Sequence, residues 1–146
     1  MDIQRLPLVV AGKNLPCAKG TKVVGGSGFV WLSGAVGEDI DTGNIPEEAG
    51  AQAELAMENI KARLEEYGSS MQKIVHVWLY VKGQFPKGMV NDSRYLDVVK
   101  AIEGFWSINH PEFLRGNNPP ASTHLGVTSL ARPTFHVEIL VVAAIE

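Results

Sequence analysis

Cysteine is nearly absent from this sequence, with Cys17 the only one. A lone thiol forms no intrachain disulfide, which excludes a secreted disulfide scaffold and fits a reducing compartment. An excess of basic residues is also missing. Lysine and arginine number 13 against 16 aspartates and glutamates, a net charge of −3. The chain lacks the overall charge of a phosphate-backbone binder, so no nucleic acid partner is expected. No apolar run approaches the ~20 residues of a membrane span. The longest, residues 137–145, is interrupted by Glu138. The opening residues have no basic segment followed by an apolar one, so no secretory signal is expected. These absences point to a cytoplasmic protein with no membrane partner. Neither H-E-x-x-H nor C-x-x-C occurs, and the four histidines lack ligand spacing, so no metal or other cofactor is expected.

What is present is an ordinary globular composition. Of 146 residues, 45% are hydrophobic and 20% charged, which fits one domain over 1–146 with a core that needs no staple. Segments 3–12 and 16–24 are broken by Pro7, Gly12, Pro16 and Gly20 and read as small edge strands and turns. Residues 29–35, Phe-Val-Trp-Leu-Ser-Gly-Ala, are apolar on both faces and predict a central strand. Residues 46–67 predict a helix, with Pro46 at its first position, an apolar stripe through Leu55, Ile60 and Leu64, and Gly68 as its stop. A second central strand follows over 74–82. Asn91 or Asp92 caps a second helix over 92–107. Residues 109–120 read as a polar surface loop. Segments 122–130 and 134–144 read as an antiparallel hairpin turning through Ala131-Arg132-Pro133.

This order predicts an α+β fold with a six-stranded mixed sheet and two helices on one face. The strands do not alternate apolar and polar cleanly, so the second face also needs cover. No third helix is available, and further copies of the same sheet are the economical answer, which implies a homo-oligomer.

Glu138 stands alone in an otherwise apolar strand. A buried carboxylate must be paired, hydrogen-bonded or protonated, and such a group can donate a proton or position a water. The alternative is a structural glutamate satisfied by a neighbouring subunit. Ser122, His124, Gly126 and Thr128 share one strand face by period two. In a hairpin that strand lies beside the Glu138 strand, so His124 and Glu138 are expected to share a cleft. His124 is then either a proton shuttle or anchor for a carbonyl, or an interface histidine. Ser33 precedes Gly34 at a strand end, where glycine allows close backbone approach and the hydroxyl can hydrogen-bond a ligand. His76 and His136 read as satisfied core or interface histidines, and Cys17 as a spectator thiol.

The ordered set Phe29 to Gly34, Ala51-Gln52, Asn59-Ile60, Leu64, Gly68, residues 74–81, Pro120-Ala121, Gly126-Val127, Leu130 and Val137-Glu138-Ile139 resembles the reactive-intermediate deaminase (Rid), or YjgF-like, family. The resemblance covers roughly residues 20–146. It implies a chorismate-mutase-like fold and a homotrimer whose sheets form a barrel with small-molecule clefts between subunits. It also implies cofactor-free hydrolysis of imines and enamines such as 2-aminoacrylate; some relatives carry a ribonuclease label. Catalytic positions then fall on Glu138 and His124, and substrate-binding positions on Ser33, Asn91 and Ser122. The sequence departs from the deaminase pattern Pro-Ala-Arg, because Ser122 stands where that arginine holds a carboxylate. His124 stands where a cysteine is usual, and Lys19 to Val23 offers no counterpart to an N-terminal tyrosine. A non-catalytic ligand-binding or protein-binding trimer is the alternative, and a nuclease is weaker than either.

Overall fold

Hydrophobic strands separated by two amphipathic helices fold here into one mixed sheet with both helices on one side. The computed structural model describes residues 1–114 and 117–146. Strands β1 (Asp2–Val10), β2 (Lys13–Val24), β3 (Gly28–Trp31) and β4 (Ala35–Val36) precede helix α1 (Ala49–Glu66). Strand β5 (Ile74–Lys82), helix α2 (Ser93–Asn109), β6 (Ala121–Val127) and β7 (Val137–Ile145) follow. The sheet order is β1-β2-β6-β5-β7-β3, with β4 also paired to β7. No described helix is long and apolar enough to cross a membrane.

Seven strands replace the expected six. The segment over 29–35 divides into β3 and β4 because the chain leaves the ladder at Ser33 and Gly34. The first two segments, expected as small edge strands and turns, are continuous strands that form one antiparallel hairpin, the second extended at its start from residue 16 to Lys13. Ala11 and Gly12, at φ of 50° and 75°, supply the two left-handed residues of its tight turn. Pro7 is tolerated because it lies at register shifts, where a missing donor costs little.

The expected hairpin between the last two strands does not form. Strand β5 lies between them, parallel to β6 and antiparallel to β7. The connection from β6 to β7 therefore crosses the end of β5, and Lys82 N donates to the His136 carbonyl at 2.9 Å along that crossing. The expected polar loop over 109–120 is partly core. A short 3-10 helix at Pro111–Phe113 buries Phe113 edge-on against Trp106, at a centroid distance of 4.9 Å. Arg115 and Gly116 of that loop lie outside the described residues.

Helix α1 begins three residues later than expected, at Ala49. Pro46 stays outside it, and the Asp97 carboxylate on α2 accepts from Gly50 N at 2.7 Å, capping α1 from the neighbouring helix. Asp92 caps α2 by accepting from Arg94 N and Tyr95 N. The core lies between the helices and the sheet. Val77, Leu79 and Val81 of β5 and Val137, Ile139 and Val141 of β7 meet Ala53, Met57, Ile60 and Leu64 of α1 there. Gln52 is fully buried in this layer. Its amide donates to the carbonyls of Pro46 and Thr134, and its oxygen accepts from His136 N. The opposite face of the sheet carries no helix among the described residues. Phe29, Trp31 and Leu125 are exposed there, beside half-buried Trp78, Tyr80 and Leu140.

Candidate functional site

Strand pairing decides which candidate residues meet. Leu79 of β5 pairs with both His124 and Ile139, so these three share the helix-facing side of the sheet. Tyr80 pairs with both Leu125 and Glu138, which places Glu138 on the open side. His124 and Glu138 thus lie on opposite faces with β5 between them. The cleft expected to hold both is not formed within one chain, because it rested on a β6–β7 hairpin that β5 interrupts.

The first group is built on Glu138. Its strand pairs with β4 through Val36, which brings the Ser33-Gly34 turn against it. A Cβ placed on Gly34 would stand 2.7 Å from the Glu138 carboxyl carbon and 2.8 Å from Oε2. Only glycine lets the carboxylate lie against the backbone at this point. Glu138 is half-buried rather than sealed in the core, and Ser33 is exposed beside it. The Ser33 carbonyl accepts from the Arg63 guanidinium at 3.4 Å. The sequence marks Gly34 as a point of close approach, and the group that approaches is Glu138 itself.

The second group is built on β6. Ser122 and His124 project toward α2 and line a cavity of about 60 Å³ with Met57, Leu79, Val99 and Trp106. The His124 Nδ1 lies 2.8 Å from the Tyr95 hydroxyl on α2. Burial lowers the His124 pKa below the ordinary histidine value, so the imidazole is neutral at pH 7 and holds an anion poorly. Tyr95 is the site residue that the sequence does not mark. It reads there as one member of the apolar face of α2, and no local spacing connects it with residue 124. Beyond Ala121, which pairs with Ala18, no described residue pairs with the outer edge of β6.

The remaining candidates fall elsewhere. Asn91 is exposed just before the Asp92 cap and makes no hydrogen bond among the described residues. His76 is satisfied as expected, with Nε2 3.0 Å from Thr123 Oγ1. His136 is half-buried, with a backbone hydrogen bond to Glu47 acting on its ring and no partner for Nδ1 among the described residues. No group of three or more metal-ligating side chains occurs among them either.

The family model for endoribonuclease L-PSP matches residues 14–145. A 2-iminobutanoate/2-iminopropanoate deaminase from Salmonella typhimurium is 38% identical over 76 residues, or 50% of this chain and 59% of that protein. This chain thus spans about three-fifths of the length of that curated relative. Among solved structures, the Rid-family protein YyfB of unknown function from Yersinia pestis superposes with a TM-score of 0.76 at 19% identity, covering 99% of this chain and all of that one. TdcF from E. coli with bound serine gives 0.67 at 22% identity, covering 97% of this chain and 94% of that one. The YjgF product of E. coli gives 0.64 at 24%, covering 96% and 93%. The two helices on one side of a mixed sheet are thus shared with these proteins, and the match over almost the whole length shows that the chain belongs to the endoribonuclease L-PSP family, the Rid or YjgF-like proteins.

Proposed function

We propose that this protein is a cofactor-free hydrolase of small imines or enamines, working in a cleft assembled between copies of the chain in a homotrimer. The observation that carries this reading is the Glu138 carboxylate held against Gly34 beside the exposed Ser33, in a chain related to a named imine deaminase. The chemistry is simple. Water adds to the carbon of a C=N bond, the C–N bond of the resulting carbinolamine breaks, and a ketone or aldehyde leaves with ammonia. Glu138 takes a proton from the attacking water and returns one to the departing nitrogen. Ser33 and Asn91 bind the substrate. Ser122 and His124 anchor it from the other side, with the imidazole donating to the carbonyl or imine end.

Two features support assembly between copies. The open face exposes Phe29, Trp31 and Leu125, an apolar surface of the kind that soluble monomers seldom leave wet. The Glu138 and His124 groups also face away from each other, so one copy must present its Glu138 half to the His124 half of the next.

The test is ammonia release from small imines generated in the assay, both 2-imino acids and their uncharged 2-imino amide counterparts, compared with and without protein. Acceleration that is lost in Glu138→Gln, with the assembly intact by light scattering, is the expected result. No acceleration by the wild-type protein across the series overturns the proposal. That outcome favours a ligand-binding trimer, a reading supported by serine and histidine standing where the deaminase pattern has arginine and cysteine.

A further inference from the structure

The described walls around Ser122 and His124 offer a carboxylate no cationic partner. The cavity beneath them runs between β6 and α2, and its lining includes the apolar side chains of Val99, Ile102, Trp106 and Phe113. Among its described lining residues the one charged side chain is Glu103, an exposed carboxylate on α2. A ligand carboxylate placed here meets like charge and a desolvating apolar wall, both unfavourable. Apart from Glu103, the polar groups among the described lining residues are neutral. Ser122 offers a hydroxyl, and His124 has one ring nitrogen engaged by Tyr95 and the other left for a ligand. At about 60 Å³ the cavity is far smaller than the roughly 150 Å³ that takes up benzene. That volume suits a short alkyl group better than an aromatic ring.

Resting on the reading of the site given above, we infer that its ligand is an uncharged imine or carbonyl compound whose polar end meets Ser122 and His124 and whose aliphatic arm of two to four carbons fills the cavity beside Val99 and Trp106. The ligand therefore differs from a small 2-imino acid at both ends. It lacks the carboxylate, and it carries an alkyl arm that contributes binding through burial.

The experiment is isothermal titration of the intact protein at pH 7.5 with two matched series. One series is 2-oxopropanamide, 2-oxobutanamide, 4-methyl-2-oxopentanamide and 2-oxo-3-phenylpropanamide, and the other is the corresponding 2-oxo acids. Each amide should bind at least tenfold more tightly than its acid. Affinity should rise about fourfold for each buried methylene along the aliphatic members, then fall for the phenyl compound. Val99→Phe, which fills the cavity, should flatten the dependence on chain length; if that variant does not fold, the wild-type series decides alone. Acids binding as well as amides, or affinity independent of chain length, overturns the inference. The outcome is separable from catalysis. A chain-length series without ammonia release from imines upholds this inference and removes the hydrolase, whereas ammonia release with no preference for amides or alkyl arms does the reverse.

Discussion

Replacing Gly34 by alanine moves the Glu138 carboxylate without altering its charge. The new methyl carbon would stand 2.7 Å from the carboxyl carbon, where ordinary contact begins near 3.4 Å. The carboxylate must therefore retreat by roughly 0.7 Å or more. It can do so, because the group in the way is the far end of a flexible, half-buried side chain. The stability cost should sit at the low end of the roughly 1–3 kcal/mol typical of overpacking. At about 2–4 °C per kcal/mol, the melting temperature falls by only a few degrees. The kinetic cost is larger, since a catalytic group misplaced by about 1 Å can lose on the order of 100-fold in rate. Gly37→Ala is the contrast. Its Cβ would stand 2.3 Å from the Gln52 Cα and 2.5 Å from the Gln52 carbonyl oxygen, and helix backbone cannot swing aside. The assay is a thermal melt of both variants with ammonia release from small imines. Gly34→Ala should stay folded with turnover reduced about 100-fold, and Gly37→Ala should be severely destabilised. Wild-type turnover in Gly34→Ala, together with an inactive Glu138→Gln, would refute the claim that the seat against Gly34 is the working position of the carboxylate.

Gln52→Leu strips three hydrogen bonds from partly buried backbone groups and should cost about 3 kcal/mol, read as a fall in denaturation midpoint at constant slope. Burial lowers the pKa values of His76, His124 and His136 below 6.5. The unfolded chain then binds protons that the folded chain does not, so stability should be flat above about pH 7.5 and fall as pH drops through 6.5 and below; denaturant titrations at pH 8 and pH 5.5 check the sign. Gly126→Ala places a methyl 2.5 Å from the Phe85 ring and should displace that ring from β6, seen as lost thermal stability with the Glu138 group undisturbed.

Much of the fold is legible in the residues. The apolar strands over 74–82 and 137–145, the stripe of α1 and the Asp92 cap of α2 each follow from local pattern. What pattern cannot supply is pairing. Ala131-Arg132-Pro133 reads as a tight turn, yet β5 inserts between the strands it joins, because parallel pairing with β6 depends on contacts across 45 residues and leaves no local mark. That single difference separates His124 from Glu138 and divides the site into two groups. Ser33, Gly34 and Glu138 stand out in the sequence because glycine and a lone carboxylate are locally conspicuous, and the structure brings the three together. Tyr95 is missed because its hydroxyl finds His124 only once α2 lies over β6. The prolines of β1 and β2 mislead in the opposite direction, since register shifts accommodate them in strands longer than composition suggests.

The most direct test of a site shared between copies is complementation. Glu138→Gln and His124→Ala chains, each inactive alone, are unfolded together, refolded as an equal mixture and assayed for ammonia release. In randomly mixed trimers about one site in four joins an intact Glu138 group to an intact His124 group, so activity should recover to about a quarter of wild type. A mixture as inactive as its two components, with mixed assemblies verified by mass spectrometry, would contradict a site built from both groups across neighbouring copies.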